Sequence, residues 1–196
     1  MDSETKVRMV DQYPNFAALA DATIEETDYR ITVVARPAST VAVIAPHGGS
    51  IERRTSAIAR AIAGDDFNLY LFEGLDASGS FEDLHITSHR FDEPACLAVI
   101  ADCDDVIAVH GYAGAGLQVL LGGLDRGLIE SIAAALAPIG VEVLTDGHAY
   151  PGEHRRNICN RGRLGRGVQL ELSDALRGSS EETQVVDAIR HMLLER

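Results

Sequence analysis

Val41-Ala-Val-Ile-Ala-Pro-His-Gly-Gly-Ser-Ile-Glu52 carries an apolar run straight into a histidine, two glycines and a glutamate. The unbroken apolar stretch from Val41 to Ala45 predicts a strand buried on both faces, because a half-exposed strand would alternate with polar residues. The strand ends where His47 begins, and Gly48 and Gly49 permit a tight turn. A helix starting near Ser50 then holds Glu52 in its first turn, close enough to His47 to share one metal ion.

The same layout recurs once. Asp105-Val-Ile-Ala-Val109 leads into His110 and Gly111. If the two buried strands are parallel neighbours, both imidazoles meet at the carboxyl-terminal edge of the sheet, where open α/β folds gather ligands. Two nitrogens and one carboxylate are a ligand set of hydrolytic zinc sites, with a fourth position left for water. A strand-end histidine can also be satisfied by backbone hydrogen bonds, but matching contexts for His47 and His110, with Glu52 beside them, favour one shared zinc ion.

Outward from these two runs, short β-branched stretches alternate with segments of helical spacing. Strands are expected at Arg30–Arg36, Val41–Ala45, Asn68–Phe72, His85–Ser88, Asp105–Val109, Glu142–Leu144 and Val168–Leu172. Helices are expected to begin near Asn15, Ser50, Glu93, Leu124 and Glu181. The fourth is marked by Leu124, Leu128, Ile132 and Leu136 and is stopped by Pro138-Ile139-Gly140. This pattern predicts one α/β domain over residues 1–196, with a mixed, mostly parallel central sheet of six to seven strands and helices on both faces.

Composition narrows the function classes. The chain carries a net charge of −13 and 5% aromatic residues without tryptophan, which argues against nucleic acid and anionic membrane surfaces as partners. No apolar run is long enough to span a bilayer, and Met1-Asp-Ser-Glu-Thr-Lys6 lacks the layout of a signal peptide, so a cytoplasmic location is expected. Cys96, Cys103 and Cys159 form no C-x-x-C pair and are expected to be buried, reduced thiols.

Positive charge concentrates in one place. Five of the chain's 16 arginines, Arg155, Arg156, Arg161, Arg163 and Arg166, follow His154 without an intervening acid. Within this stretch Asn160 and Arg161 are candidates for substrate binding, since a guanidinium holds a carboxylate through two parallel hydrogen bonds. Arg53, next to Glu52, is a candidate to polarise a scissile carbonyl, with a surface arginine as the plainer alternative.

Gly167-Val-Gln-Leu-Glu-Leu172 alternates so that Gln169 and Glu171 share one strand face. Glu171 is the candidate general base, with a solvent-facing edge-strand carboxylate as the alternative. His85 and His89 flank Ile-Thr-Ser and are assigned no ligand role, though one of them could line a pocket.

Six motifs in order, Ala45-Pro-His-Gly-Gly-Ser-Ile-Glu52, Leu84-His-Ile-Thr-Ser88 with Phe91-Asp-Glu-Pro94, Val109-His-Gly111, Gly122-Gly-Leu-Asp125, Asn157-Ile-Cys-Asn-Arg161 and Gly167-Val-Gln-Leu-Glu-Leu-Ser173, resemble the poly-γ-glutamate hydrolases of phages and bacteria. The resemblance runs from about Tyr29 to Arg177. It implies a zinc carboxypeptidase-like fold and a zinc-dependent amidohydrolase that cuts γ-glutamyl amide bonds in poly-γ-glutamate or γ-glutamyl peptides. It maps His47, Glu52 and His110 onto the metal ligands and Glu171 onto the base. Arg161 is carried over only as a functional analogue, because the asparagine-arginine pair of zinc carboxypeptidases precedes the last histidine ligand whereas Asn160-Arg161 follows His110. A zinc hydrolase of N-acyl or N-formyl amino acids and a non-catalytic metal-binding, phage-associated protein are the alternative readings.

Overall fold

The computed structural model of the chain describes residues 11–75 and 81–196; the amino-terminal stretch read above for a signal peptide lies outside them. Seven strands form one sheet: β1 (Tyr29–Val34), β2 (Val41–Gly49), β3 (Asn68–Gly74), β4 (Asp105–Tyr112), β5 (Gln118–Gly123), β6 (Glu142–Leu144) and β7 (Val168–Ser173). The helices are α1 (Phe16–Ala22), α2 (Thr55–Ala63), α3 (Phe81–Leu84), α4 (Pro94–Ile100), α5 (Arg126–Leu136) and α6 (Ser180–Leu194). The spatial strand order is β1-β3-β2-β4-β7-β5-β6. Pairing is antiparallel only between β1 and β3 and between β5 and β7, so the sheet is mixed and mostly parallel, as the sequence pattern predicts.

The continuous apolar runs are explained by burial on both faces. Val41, Val43 and Ala45 of β2 and Ile107 and Val109 of β4 pack under α2, α5 and α6, against Ile58, Ile62, Leu128, Ile132, Val185 and Ile189. The intervening Ala42, Ile44, Val106 and Ala108 face the other way, against Leu19 of α1, Ile100 of α4, Phe72 and Phe91. Each face then removes its alternate residues from water, at roughly 1.5–3 kcal/mol for a fully buried branched or aromatic side chain.

Caps set where several helices begin. Asn15 accepts a hydrogen bond from the Ala18 N–H at 2.9 Å, Glu93 from those of Ala95 and Cys96 at 2.9 and 2.7 Å, and Asp125 from that of Leu128 at 3.0 Å. The three cysteines are buried and free. Among the described residues, no helix is long and apolar enough to cross a membrane.

Three expectations are corrected. The helix after β2 begins at Thr55, so Glu52 lies in the preceding turn rather than in a helix. Arg54 has a left-handed backbone (φ 72°), which keeps the helix from extending further toward β2. His85–Ser88 is not a strand but an irregular segment whose carbonyls serve other partners: that of Thr87 accepts from Arg90 and Phe91, and that of Ser88 from Ile158. Strand β5 is an addition; Leu-rich Leu117–Leu121 shows no alternation, and such a short apolar run fits strand and helix equally.

The turn after β2 explains both of its glycines. The β2–β3 register shifts between Ala45 and Gly48, a bulge containing Pro46, which has no N–H for a ladder, and His47, whose side chain the bulge re-aims. A Cβ on Gly48 would stand 2.0 Å from Ser56 Oγ, and Gly49 has φ +66° with the Gly74 carbonyl oxygen 2.2 Å from where its Cβ would be. Gly49→Val should therefore destabilise the fold by at least the roughly 1–3 kcal/mol of left-handed strain. Denaturant unfolding measures this, and an unchanged midpoint would contradict the role given to the turn.

Arg54 is held in its strained conformation by Glu182 of α6, to which its Nε and Nη2 donate at 2.7 and 2.5 Å. Burial works to raise the Glu182 carboxyl, but Arg54 and the Gly178 N–H outweigh it and hold it below its ordinary value. The pair's stabilisation is thus complete above the unfolded-state carboxyl range and is lost as pH falls through the lower folded value. Glu182→Gln should flatten the loss of stability at acid pH in that window; identical acid profiles for variant and parent would refute the linkage.

Candidate metal centre and its cavity

The carboxyl-terminal ends of β2, β4 and β7 open onto one cavity of about 990 Å³. His47, Glu52, Arg53, His110 and Glu171 all line it, so five of the seven candidate residues meet there. Parallel pairing of β2 with β4 brings the two histidine-bearing strands together. Parallel pairing of β4 with β7 sets His110 directly beside Glu171.

Glu52 binds these elements to one another. Its Oε1 is 2.9 Å from His47 Nδ1, and its Oε2 accepts from the Gly111 N–H at 2.8 Å and lies 3.5 Å from His110 Nδ1. The two Nδ1 atoms are 3.1 Å apart. Ligand atoms on a tetrahedral zinc with bonds of roughly 2.0–2.1 Å sit about 3.3 Å from one another, so this spacing fits the ion.

The tautomer of His47 strengthens the fit. Its Nε2 lies 2.8 Å from the Ile86 carbonyl oxygen, an acceptor that fixes the proton on Nε2 and leaves a lone pair on Nδ1. That nitrogen, the Glu52 carboxylate and His110 Nδ1 face one another, an arrangement that suits a shared cation.

Electrostatics follow the same geometry. Burial pushes the Glu52 carboxyl up, but His47 and His110 outweigh it and hold the group well below the usual carboxylate range. Burial disfavours charge on His110, and Glu52 overcomes that to raise the imidazole above its ordinary value. Glu171 lies between β4 and β5 rather than on an edge, and burial raises it to about 7 against the opposing effect of His110. Gln169 Nε2 donates to Glu171 Oε1 at 2.8 Å and is itself held by Asn157, whose Nδ2 donates to Gln169 Oε1 at 2.7 Å.

His85 is the residue that sequence reasoning set aside. One of its ring nitrogens falls within 4.8 Å of a ligand atom of His47 and one of Glu52, and its ring centroid is 4.3 Å from that of His47. Burial and the neighbouring His47 lower it to about 4, while Asp11, 2.9 Å from its Nδ1, acts in the opposite sense. Its position after α3, in a segment read as a strand, concealed this approach.

Arg177 was also missed. It follows β7 by four residues, its Nη1 donates to the Arg53 carbonyl at 2.7 Å, and it pairs with Asp174. The guanidinium lies where a side chain on residue 111 would go: a Cβ on Gly111 would be 2.2 Å from Nη1. Glycine after His110 therefore makes room for an arginine that braces the Glu52–Arg53 turn.

Asn160 and Arg161 are not among the residues lining the cavity. Asn160 is buried and fully engaged with backbone: its Oδ1 accepts from Leu124 and Gly167 N–H groups, each at 3.1 Å, and its Nδ2 donates to the Gly152 and His154 carbonyls. Arg161 is exposed, and its Nη1 donates to the Phe91 carbonyl at 3.5 Å. The expected substrate-binding pair therefore stands outside the cavity lining, with the Asn160 amide committed to backbone groups.

The sequence model of the poly-gamma-glutamate hydrolase family matches residues 13–187. The chain belongs to this family. It is 36% identical over 170 residues to the SPbeta prophage-derived UPF0714 protein YoqZ and 38% identical over 173 residues to UPF0714 protein YndL, both from Bacillus subtilis (strain 168). Those matches take in 85% and 86% of this chain but 60% and 66% of the relatives, so the chain spans less than two thirds of their length.

Solved structures agree with the family assignment. A bacteriophage poly-gamma-glutamate hydrolase superposes with a TM-score of 0.89 at 30% identity, covering 95% of this chain and 98% of that one. A zinc-free form of YndL gives 0.85 at 31% identity, covering 94% and 98%. An N-formylglutamate amidohydrolase from Ralstonia eutropha JMP134 shares the fold, with a TM-score of 0.53 at 9% identity over 86% of this chain and 96% of that one.

Proposed function

We propose that the chain is a zinc-dependent hydrolase of γ-glutamyl amide bonds, with poly-γ-glutamate or γ-glutamyl peptides as substrate. One observation carries this reading: His47 Nδ1, His110 Nδ1 and the Glu52 carboxylate converge beside the buried carboxyl of Glu171, in a family of poly-gamma-glutamate hydrolases. His47, Glu52 and His110 would hold the metal, three protein ligands being the usual number in catalytic zinc sites. His85 stands within reach of the same centre with its Nδ1 turned to Asp11, and the set takes His110 because its Nδ1 is 3.1 Å from His47 Nδ1 and 3.5 Å from Glu52 Oε2. Zinc held there would supply Lewis acidity for the amide carbonyl and for a bound water.

The remaining chemistry belongs to the chain. Glu171 takes the proton of the attacking water on its carboxylate and passes it to the departing amine, so that the C–N bond breaks without expelling an amide anion. Gln169 and Asn157 hold that carboxylate in place. Arg53, exposed at the cavity wall without an ion-pair partner among the described residues, supplies positive charge where the carbonyl oxygen becomes anionic.

Two substitutions separate the roles. His47→Ala should lose zinc and activity together, while Glu171→Gln should keep zinc and lose turnover by about 10²–10⁴-fold. Plasma emission and product analysis on poly-γ-glutamate, with N-formylglutamate as the competing substrate, read both outcomes. Full γ-glutamyl hydrolysis by metal-free protein would refute the metal, and zinc retained by His110→Asn but lost by His85→Asn would refute the ligand set.

A further inference from the structure

One wall of the cavity is basic and leads away from the candidate metal centre. Ser88 and His89 line it from one segment, and His154 and Asn157 from another. The rings of His89 and His154 meet with centroids 5.0 Å apart, tilted by 41°, so the two segments touch at the rim. Immediately beyond them in the chain stand Arg90, Arg155 and Arg156, all exposed. Arg90, Arg156 and His154 all act electrostatically on His89, which places this charge around one point of the cavity mouth.

The positive charge there is largely uncompensated. Among the described residues Arg155 and Arg156 have no ion-pair partner, whereas Arg126, Arg163, Arg166 and Arg190 each hold a carboxylate. Glu153, the acid that lines the same wall, is engaged by Arg126 at 2.5 Å. Arg90 approaches Asp11 at 3.5 Å, and that carboxylate also serves His85 and Thr87. In a chain of net charge −13, Arg156 acting on His89, with exposed Arg155 beside it in the chain, puts cations without ion-pair partners among the described residues next to the cavity wall, which suits an anion arriving from outside.

We propose that this rim, Arg155 and Arg156 foremost, binds the free carboxylates of γ-glutamyl residues flanking the one being cut, so that polymer is preferred over short peptides. The inference rests on the γ-glutamyl hydrolase reading above. A γ-linked chain carries one free carboxylate on every residue, so a strand leaving the cavity presents anions in series to the rim. Guanidinium groups hold carboxylates through paired hydrogen bonds, and the attraction offsets the repulsion that the rest of the chain exerts on a polyanion.

The test compares kcat/KM on a γ-glutamyl dipeptide and on a decamer. The parent protein should favour the decamer, and the Arg155→Gln/Arg156→Gln double variant should lower the decamer-to-dipeptide ratio by about tenfold, through KM. The Arg155→Lys/Arg156→Lys variant, which keeps both charges, should retain most of the ratio, and half-molar salt should reduce it in the parent. An unchanged ratio in the glutamine variant overturns the rim's role. Failure of the parent to cut any γ-glutamyl substrate overturns the hydrolase reading instead.

Discussion

The Glu52 carboxylate is the constraint on which the rest of the site depends. It is 8% exposed, and a buried charge is tolerated only when hydrogen-bonded and paired. Its partners come from two strands: His47 from β2, and the Gly111 N–H and His110 from β4. Satisfying one carboxylate therefore fixes the turn after β2 against the end of β4. Arg177 adds a brace from beyond β7 by holding the carbonyl next to Glu52.

The sheet makes that convergence possible. The chain passes from β2 to β3 on one side and returns to place β4 on the other, so the strand order reverses across β2. Such a reversal opens a crevice at the carboxyl ends of the strands, because the connections leave in opposite directions. The next parallel neighbour, β7, carries its alternate polar residues Gln169 and Glu171 on the same face as His110, with Val168, Leu170 and Leu172 buried on the other. The bulge at Pro46 and His47 then turns one histidine from the regular alternation of β2 toward that crevice.

Much of this was legible in local patterns. The apolar runs of β2 and β4 announce burial on both faces, each ends in His-Gly, and the alternation around Glu171 sets its face; none of these features needs long-range knowledge. The residues that escaped depend on contacts between distant segments. His85 reaches His47 because its segment is held by Asp11 and by the carbonyl interactions of Ile86 and Ser88, not by a strand. Arg177 is an ordinary surface arginine in sequence and becomes buried only because Gly111 leaves space for it. Asn160 shows the converse: an asparagine beside an arginine suits carboxylate binding, but here its amide is committed to four backbone groups that only the folded chain brings to it.

The central claim is the position and identity of the metal. Anomalous diffraction on either side of the zinc absorption edge, from crystals of the purified protein, tests it most directly. One zinc peak is expected within roughly 2.0–2.1 Å of Nδ1 of His47, Nδ1 of His110 and a Glu52 oxygen, with Glu171 close by but unbound. A fully active protein whose crystals give no zinc peak, or a peak ligated by His85 in place of His110, would contradict it.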